Sequence, residues 1–258
     1  MIIAHRGSSA AAPENTIAAF SRAVKDGSEG IEFDVRLTRD RIPVVFHDAS
    51  LKRMADNEAR LDTLNLSELA DVDVGEWFER NNPESAHEDF SGERIPTLEK
   101  VLNFLSDYRS PVYVELKSTG QNTQRLSEAV GEVLREFAGN MNLIVKSFDF
   151  ETIPIVKSIC PQIEIAALFA PNIMLLLRKE TRLVNIAKEI NAQRLSVHVS
   201  LATTKLMTKA LSIDLPVTVW TVDNPRWIKR GLALGVDSII TNEPLSHITE
   251  RNNVLPSR

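Results

Sequence analysis

One cysteine, Cys160, stands in a chain of 258 residues. A single thiol excludes an intrachain disulfide framework and fits a reducing compartment, so the expected location is cytoplasmic. No long hydrophobic run is present: apolar stretches break within about ten residues, too short to span a bilayer. The opening residues, MIIAHRG, show no basic stretch followed by an apolar one, so no signal peptide is expected. Charge of neither sign dominates. With 30 basic and 35 acidic side chains and a net charge of −5, nucleic acid is not the expected partner. Aromatics make up only 6%, and no Gly-rich dinucleotide turn follows a strand. Against these absences, 43% of the residues are hydrophobic. At this length folding buries roughly three quarters of the chain's surface, so no staple or metal is needed to hold it together. The expectation is a soluble, enzyme-sized single domain over residues 1–258.

Short β-rich runs alternate with helical stretches. The strand candidates are Ile2–Ala4, Gly30–Val35, Val112–Leu116, Leu143–Ser147, Ile163–Phe169, Arg194–Val197, Val217–Thr221 and Val236–Thr241. Several are continuously apolar, as strands covered on both faces must be. Between them, Pro13 precedes Ile17, Phe20 and Val24 at helical spacing, and Gly27 ends that segment. Thr97 caps a helix carrying Leu98, Val101, Leu102 and Leu105. Asn224-Pro225 opens another, expected to bury Trp227, Ile228 and Leu232 before Gly235 stops it. Eight strands with crossover helices predict a (β/α)8 TIM barrel, with a doubly wound sheet as runner-up.

Two stretches break the repeat. The charged turn Leu37–Ile42 joins Gly30–Val35 to Pro43–Phe46 and is too short for a parallel crossover, so it predicts a hairpin at the barrel mouth. Residues 48–95 then form a small polar insertion after the second barrel strand, with an apolar patch at Trp77-Phe78. It should fold over the catalytic face rather than form a domain of its own.

Glu32 and Asp34 lie two apart on the second strand, so both point the same way. Inward carboxylates on an apolar strand (I-E-F-D-V) are costly unless a cation or protons neutralise them. Glu115 repeats the pattern in VYVELK, with Lys117 two residues on along the same face. Three carboxylates at one mouth make a hard-oxygen site suited to Mg2+ or Ca2+ rather than zinc. His5 and Arg6 follow the first strand directly and belong at the C-terminal mouth, where barrel enzymes keep their sites. A hairpin turn centred near Asp40 sets His47 beside Phe33 and Asp34. Each residue has a plainer explanation: a histidine after a strand often only caps it, alternating acids often face water, and Lys117 could simply pair with an acid. The conjunction outweighs these, because all seven side chains fall at strand C-termini, where random placement would scatter them. His87 and His247 are expected at the surface, while His198 ends a strand and remains a candidate for lining the site.

These residues fall into motifs: His5-Arg6-Gly7, Pro13-Glu14-Asn15-Thr16, Glu32-Phe33-Asp34 and His47-Asp48, then GEWF (75–78), IPTLEKVL (95–102), VELK (114–117), SFD (147–149), VWTVDN (219–224) and GVDSIITNEP (235–244). In order and spacing, over essentially the whole chain, the set resembles the glycerophosphodiester phosphodiesterase family. Arg41 stands where that family usually has a hairpin glycine, and Arg53-Met54 departs from its usual basic-threonine run.

The resemblance implies metal-dependent hydrolysis of a small-molecule glycerophosphodiester to sn-glycerol 3-phosphate and an alcohol, a reaction of lipid and glycerol metabolism. It implies that His5 and His47 are the general acid–base pair, that Glu32, Asp34 and Glu115 hold a divalent ion, and that a cyclic phosphate intervenes. Arg6 and Lys117 suit the phosphate's charge. Of the two histidines, His47 is taken as the first base. Trp220, and Phe20 or Trp77, could pack against the glycerol carbons, or equally well belong to the barrel or lid core. A glycoside hydrolase using two of the acids is a second reading, disfavoured by the scarcity of aromatics. A non-catalytic scaffold is a third, disfavoured because a scaffold has no use for three inward acids.

Overall fold

Strands with both faces covered need partners on both edges, and here each finds one. The structure, a computed structural model, describes residues 1–82, 89–171 and 179–255. Its barrel strands are β1 (Ile2–His5), β2 (Ile31–Leu37), β4 (Val112–Leu116), β5 (Leu143–Ser147), β6 (Glu164–Phe169), β7 (Arg194–His198), β8 (Val217–Trp220) and β9 (Ser238–Thr241). They pair in parallel in the order β1-β9-β8-β7-β6-β5-β4-β2, and β1 pairs with β2 to close the ring. The protein is a TIM barrel. The remaining strand, β3 (Pro43–Val45), runs antiparallel to β2, with Leu37 opposite Pro43 and Val35 opposite Val45. Arg41 takes the positive φ of the turn, at 65°, without a glycine. The eight expected barrel strands and the expected hairpin are all present.

The helices are α1 (Ile17–Lys25), α2 (Lys52–Ala55), α3 (Leu66–Leu69), α4 (Gly75–Asn81), α5 (Leu98–Phe104), α6 (Thr123–Phe137), α7 (Thr152–Ile159), α8 (Lys179–Glu189), α9 (Thr204–Leu211), α10 (Trp227–Leu234) and α11 (Pro244–Val254). The capping signals operate as expected. Thr16 accepts from Ala19 N at the start of α1, Thr97 accepts from Lys100 N at the start of α5, and Gly235 ends α10 at φ 74°. Leu232 is a correction: it is 43% exposed, because α10 turns Ile228 and Gly231 to the barrel instead.

Alternation along the strands divides the barrel into layers. Ile3, Tyr113, Ile144, Ala166 and Ile240 form an apolar cluster with Trp220 packed against it. Two residues further along β1, β4 and β5 come His5, Glu115 and Lys146, so the charged layer sits directly above an apolar floor. Residues 48–95 carry α2, α3 and α4. Leu51, Met54, Leu61, Leu69 and Val74 pack against Val44 and Phe46 of the hairpin arm. A second contact joins Phe78 and Phe90, edge to face at 5.5 Å, to Ala12 and Ala19. The insertion is thus clamped between the hairpin and the loop after β1. Among the described residues no helix is long and apolar enough to cross a membrane.

Candidate active site

The loop after β1 begins with two residues in left-handed conformation, Arg6 (φ 57°) and Gly7 (φ 81°). A Cβ on Gly7 would lie 2.6 Å from the backbone of Ala19, so only glycine lets the loop fold back on α1. Each residue of Pro13-Glu14-Asn15-Thr16 then has a task. Pro13 O accepts from the Thr16 hydroxyl, and Thr16 caps α1. Asn15, at φ 61°, donates from Nδ2 to Asp34 Oδ2 at 3.0 Å and fixes that carboxylate. Glu14 Oε1 receives both Arg6, at 2.8 Å, and Arg53, at 2.6 Å.

Glu32, Asp34 and Glu115 are 0%, 1% and 5% exposed, and one oxygen from each lies within 4.8 Å of the others. They are not left repelling one another, as the sequence suggested they would be without a cation. Lys146, on β5 and 2% exposed, reaches Glu32 Oε1 at 2.7 Å and Glu115 Oε2 at 3.2 Å. Lys117 pairs with Glu115 and, at 3.0 Å, with Asp34 Oδ1. Arg6 Nε meets Asp34 Oδ2 at 3.1 Å. Burial alone would raise the Asp34 carboxyl, but Lys117 and Arg6 together hold it well below the usual range. Glu115 is likewise lowered against burial, by Lys146 and Lys117. Burial would discharge both lysines, yet the facing acids hold Lys117 and Lys146 above their ordinary values. The donor set suits a hard divalent ion: Glu32 Oε1 and Asp34 Oδ1 are fully buried and accept no directed hydrogen bond, only these ionic contacts.

The two histidines are aimed by different partners. His5 Nδ1 lies 2.7 Å from Asn242 Oδ1. Asn242 Nδ2 donates to Asp223 Oδ2 at 2.8 Å, and a carboxylate accepts only, so the amide oxygen must face His5. His5 therefore carries its proton on Nδ1 and turns Nε2 toward Glu32, 3.9 Å away. Burial lowers its pKa, with Glu32 opposing. His47 donates from Nδ1 to Asp48 Oδ1 at 2.7 Å, and its carbonyl accepts from Arg36 Nε at 2.7 Å. Phe46 N donates to Asp34 O, which is the hairpin register the sequence predicts. Arg53 joins the halves, donating to Asp48 at 2.6 Å and forking onto both oxygens of Glu14.

A cavity of about 400 Å³ opens here, lined by His5, Arg6, Ser9, Glu14, Asp223 and Asn242. Elsewhere on the barrel's C-terminal rim, Trp220 lies edge-on to His198 at 5.3 Å and to Phe148 at 5.8 Å, with Nε1 buried and unpartnered. Phe148 is 47% exposed.

The sequence profile of the Glycerophosphoryl diester phosphodiesterase family matches residues 5–246. The chain belongs to this family. It is 35% identical over 246 residues to the YhdW protein of Bacillus subtilis, covering 94% of each chain. It is 32% identical to a glycerophosphodiester phosphodiesterase of Caldanaerobacter subterraneus subsp. tengcongensis, covering 95% of this chain and 94% of the relative. Among solved structures it superposes on an Oleispira antarctica phosphodiesterase, described in complex with the product sn-glycerol-3-phosphate. The TM-score is 0.85 at 25% identity, with 97% and 96% of the chains covered. The protein is thus a glycerophosphodiester phosphodiesterase, a phosphoric diester hydrolase, and the barrel is the family's fold.

The structure brings His5, Arg6, Glu32, Asp34, Glu115 and Lys117 into one linked cluster, with His47 tied to it through Asp48, Arg53 and Glu14. Of its two readings Phe20 takes the core one: it is fully buried against Phe33 between α1 and the barrel wall and does not line the site. Trp77 lies beneath the Arg53 guanidinium, 5.1 Å from it. His247 is also a correction. It is 0% exposed, and its Nδ1 shares contacts with Thr241 Oγ1 and Glu243 O, because α11 folds its first turn back onto β9. His87 lies outside the described residues. Lys146 was missed, although its signal was the one that exposed Glu115: a charge in an otherwise apolar strand, at the parity of the inward residues.

Proposed function

We propose that this enzyme hydrolyses glycerophosphodiesters to sn-glycerol 3-phosphate and an alcohol, with His5 and His47 exchanging the protons. Glu32, Asp34 and Glu115 hold one divalent ion, Mg2+ or Ca2+. The observation that carries the reading is the convergence of three buried acids with two separately oriented histidines at one barrel mouth. When bound, the ion supplies electrostatic stabilisation for charge on the phosphate's non-bridging oxygens. Arg6 and Lys117 are placed to add to it from the mouth. His47 takes the proton of the glycerol 2-hydroxyl on Nε2 while Asp48 stabilises the imidazolium that forms, the part a carboxylate plays behind any histidine base. His5, as the imidazolium with Asn242 Oδ1 on Nδ1 and Glu32 beside Nε2, gives its Nε2 proton to the leaving alkoxide. Attack by the hydroxyl closes a cyclic phosphate, and water opens it with the two roles reversed. Each transfer contributes about 10²–10⁴-fold. Trp220 offers a face for the substrate's carbon atoms, with Phe148 beside it. The product complex of the Oleispira relative supports the choice of product. The reaction takes place in the cytoplasm, within one catalytic domain whose insertion borders the mouth.

Following turnover by phosphorus NMR tests this reading. A transient cyclic glycerol phosphate ahead of sn-glycerol 3-phosphate is expected. Release of sn-glycerol 3-phosphate with no cyclic species, from an enzyme that also fails to hydrolyse added cyclic phosphate, would contradict it.

A further inference from the structure

Lys146 sits where a metal ion's charge would be wanted, and it has no way out. It projects from β5 at the level of Glu115, its strand neighbour in register, and it is 2% exposed. Its ammonium spans Glu32 Oε1 and Glu115 Oε2, two of the three carboxylates able to hold a cation. Lys117 differs: its side chain is 15% exposed at the mouth, so it can turn toward a substrate. With Arg6 on Asp34, the cluster holds three positive and three negative charges before any ion enters. A divalent ion would add two charges to a balanced cluster and meet the Lys146 ammonium at both glutamates. At separations near 4 Å such repulsion is large even in a well-screened protein interior.

We infer that Lys146 is a resident cation of this site, compensating the three acids in the metal-free protein and competing with the divalent ion for Glu32 and Glu115. This rests on the reading that those acids hold a divalent ion. It follows that the metal-free enzyme keeps its fold and that its metal affinity is lower than the donor set alone would give. Removing the charge leaves one buried carboxylate uncompensated, which a metal can then satisfy.

Calorimetric titration with Mg2+ and with Ca2+, together with thermal unfolding in chelator and in saturating metal, tests this on wild type, Lys146→Met, Lys146→Gln and Lys146→Arg. Wild type should unfold cooperatively in chelator, with a modest rise in Tm when metal is added. Lys146→Met should bind metal at least about tenfold more tightly, melt lower in chelator and gain more from metal. Lys146→Gln, a neutral side chain that keeps a polar N–H donor at this position, should show the same tightening where the Met variant does not fold. Lys146→Arg should stay near wild-type affinity. Equal or weaker binding by folded charge-removed variants would overturn the role given to Lys146 and leave the metal reading standing. So would wild type losing its fold on chelation. If no variant binds either ion and hydrolysis persists in chelator, the metal reading itself falls.

Discussion

Asn242 does for His5 what Asp48 does for His47: each accepts the Nδ1 proton and so fixes the orientation of the ring. Replacing His5 or His47 with Ala should lower turnover by at least about 10²-fold with the fold intact, and the double variant should lose far less than the product of the two. A His47→Ala enzyme at wild-type rate would contradict the assigned chemistry. Asn242→Ala frees the His5 ring to rotate, so kcat should fall about tenfold or more while KM changes little. An equal rise in KM would instead mark a substrate contact. His247 shows the opposite kind of residue. Its ring contacts Thr241 Oγ1 and Glu243 O and none of the acids of the cluster, so His247→Ala should cost about 1–3 kcal/mol of stability and lower kcat far less than Asn242→Ala. Nothing in its local sequence distinguishes it from a surface histidine, because α11 has no sharp apolar stripe to reveal which face is covered.

At the level of elements, the hairpin and the loop after β1 converge on the same acids from opposite sides, and the insertion fastens them together. Phe78, 1% exposed against Phe90, should cost roughly 3–5 kcal/mol on replacement by Ala. Trp77 supports Arg53, which reaches both Asp48 and Glu14. Trp77→Ala should therefore raise KM or alter head-group preference more than it lowers the rate on a small activated diester. A selective collapse of turnover would move Trp77 into the catalytic machinery. Much of this geometry was legible in the sequence because barrel strands obey a strict two-residue alternation: Glu32, Asp34 and Glu115 declare their direction by sitting among apolar neighbours, and the short Leu37–Ile42 link permits only an antiparallel return. What was illegible depends on contacts between segments far apart in the chain. The Asn242–His5 pair spans 237 positions, and neither residue's neighbours encode it. Val24 and Leu232 share the helical spacing of buried neighbours yet are 45% and 43% exposed, because which side of a helix faces the barrel is settled by packing.

For the molecule as a whole, charge pairing at the mouth links stability to pH. Glu14 and Asp48 are held below their ordinary pKa values: burial would raise both, but Arg53 and Arg6 lower Glu14, and His47 and Arg53 lower Asp48. A depressed folded-state pKa stabilises above the unfolded value, about 4 for carboxylates, and that contribution is lost as pH falls through the folded value. Arg53→Ala should thus be less stable than wild type at neutral pH, with the gap narrowing below about pH 4. A gap that is constant with pH would show that Arg53 acts through packing on Trp77 alone. The central claim joins the barrel, the acids and the histidines into one metal-assisted diesterase. Its most direct test is the release of sn-glycerol 3-phosphate from glycerophosphodiesters by the purified enzyme, measured after exhaustive chelation and again after adding Mg2+ or Ca2+. The account predicts loss of turnover on chelation, with the fold retained, and recovery on adding metal. Full turnover in protein shown by elemental analysis to be metal-free would contradict it.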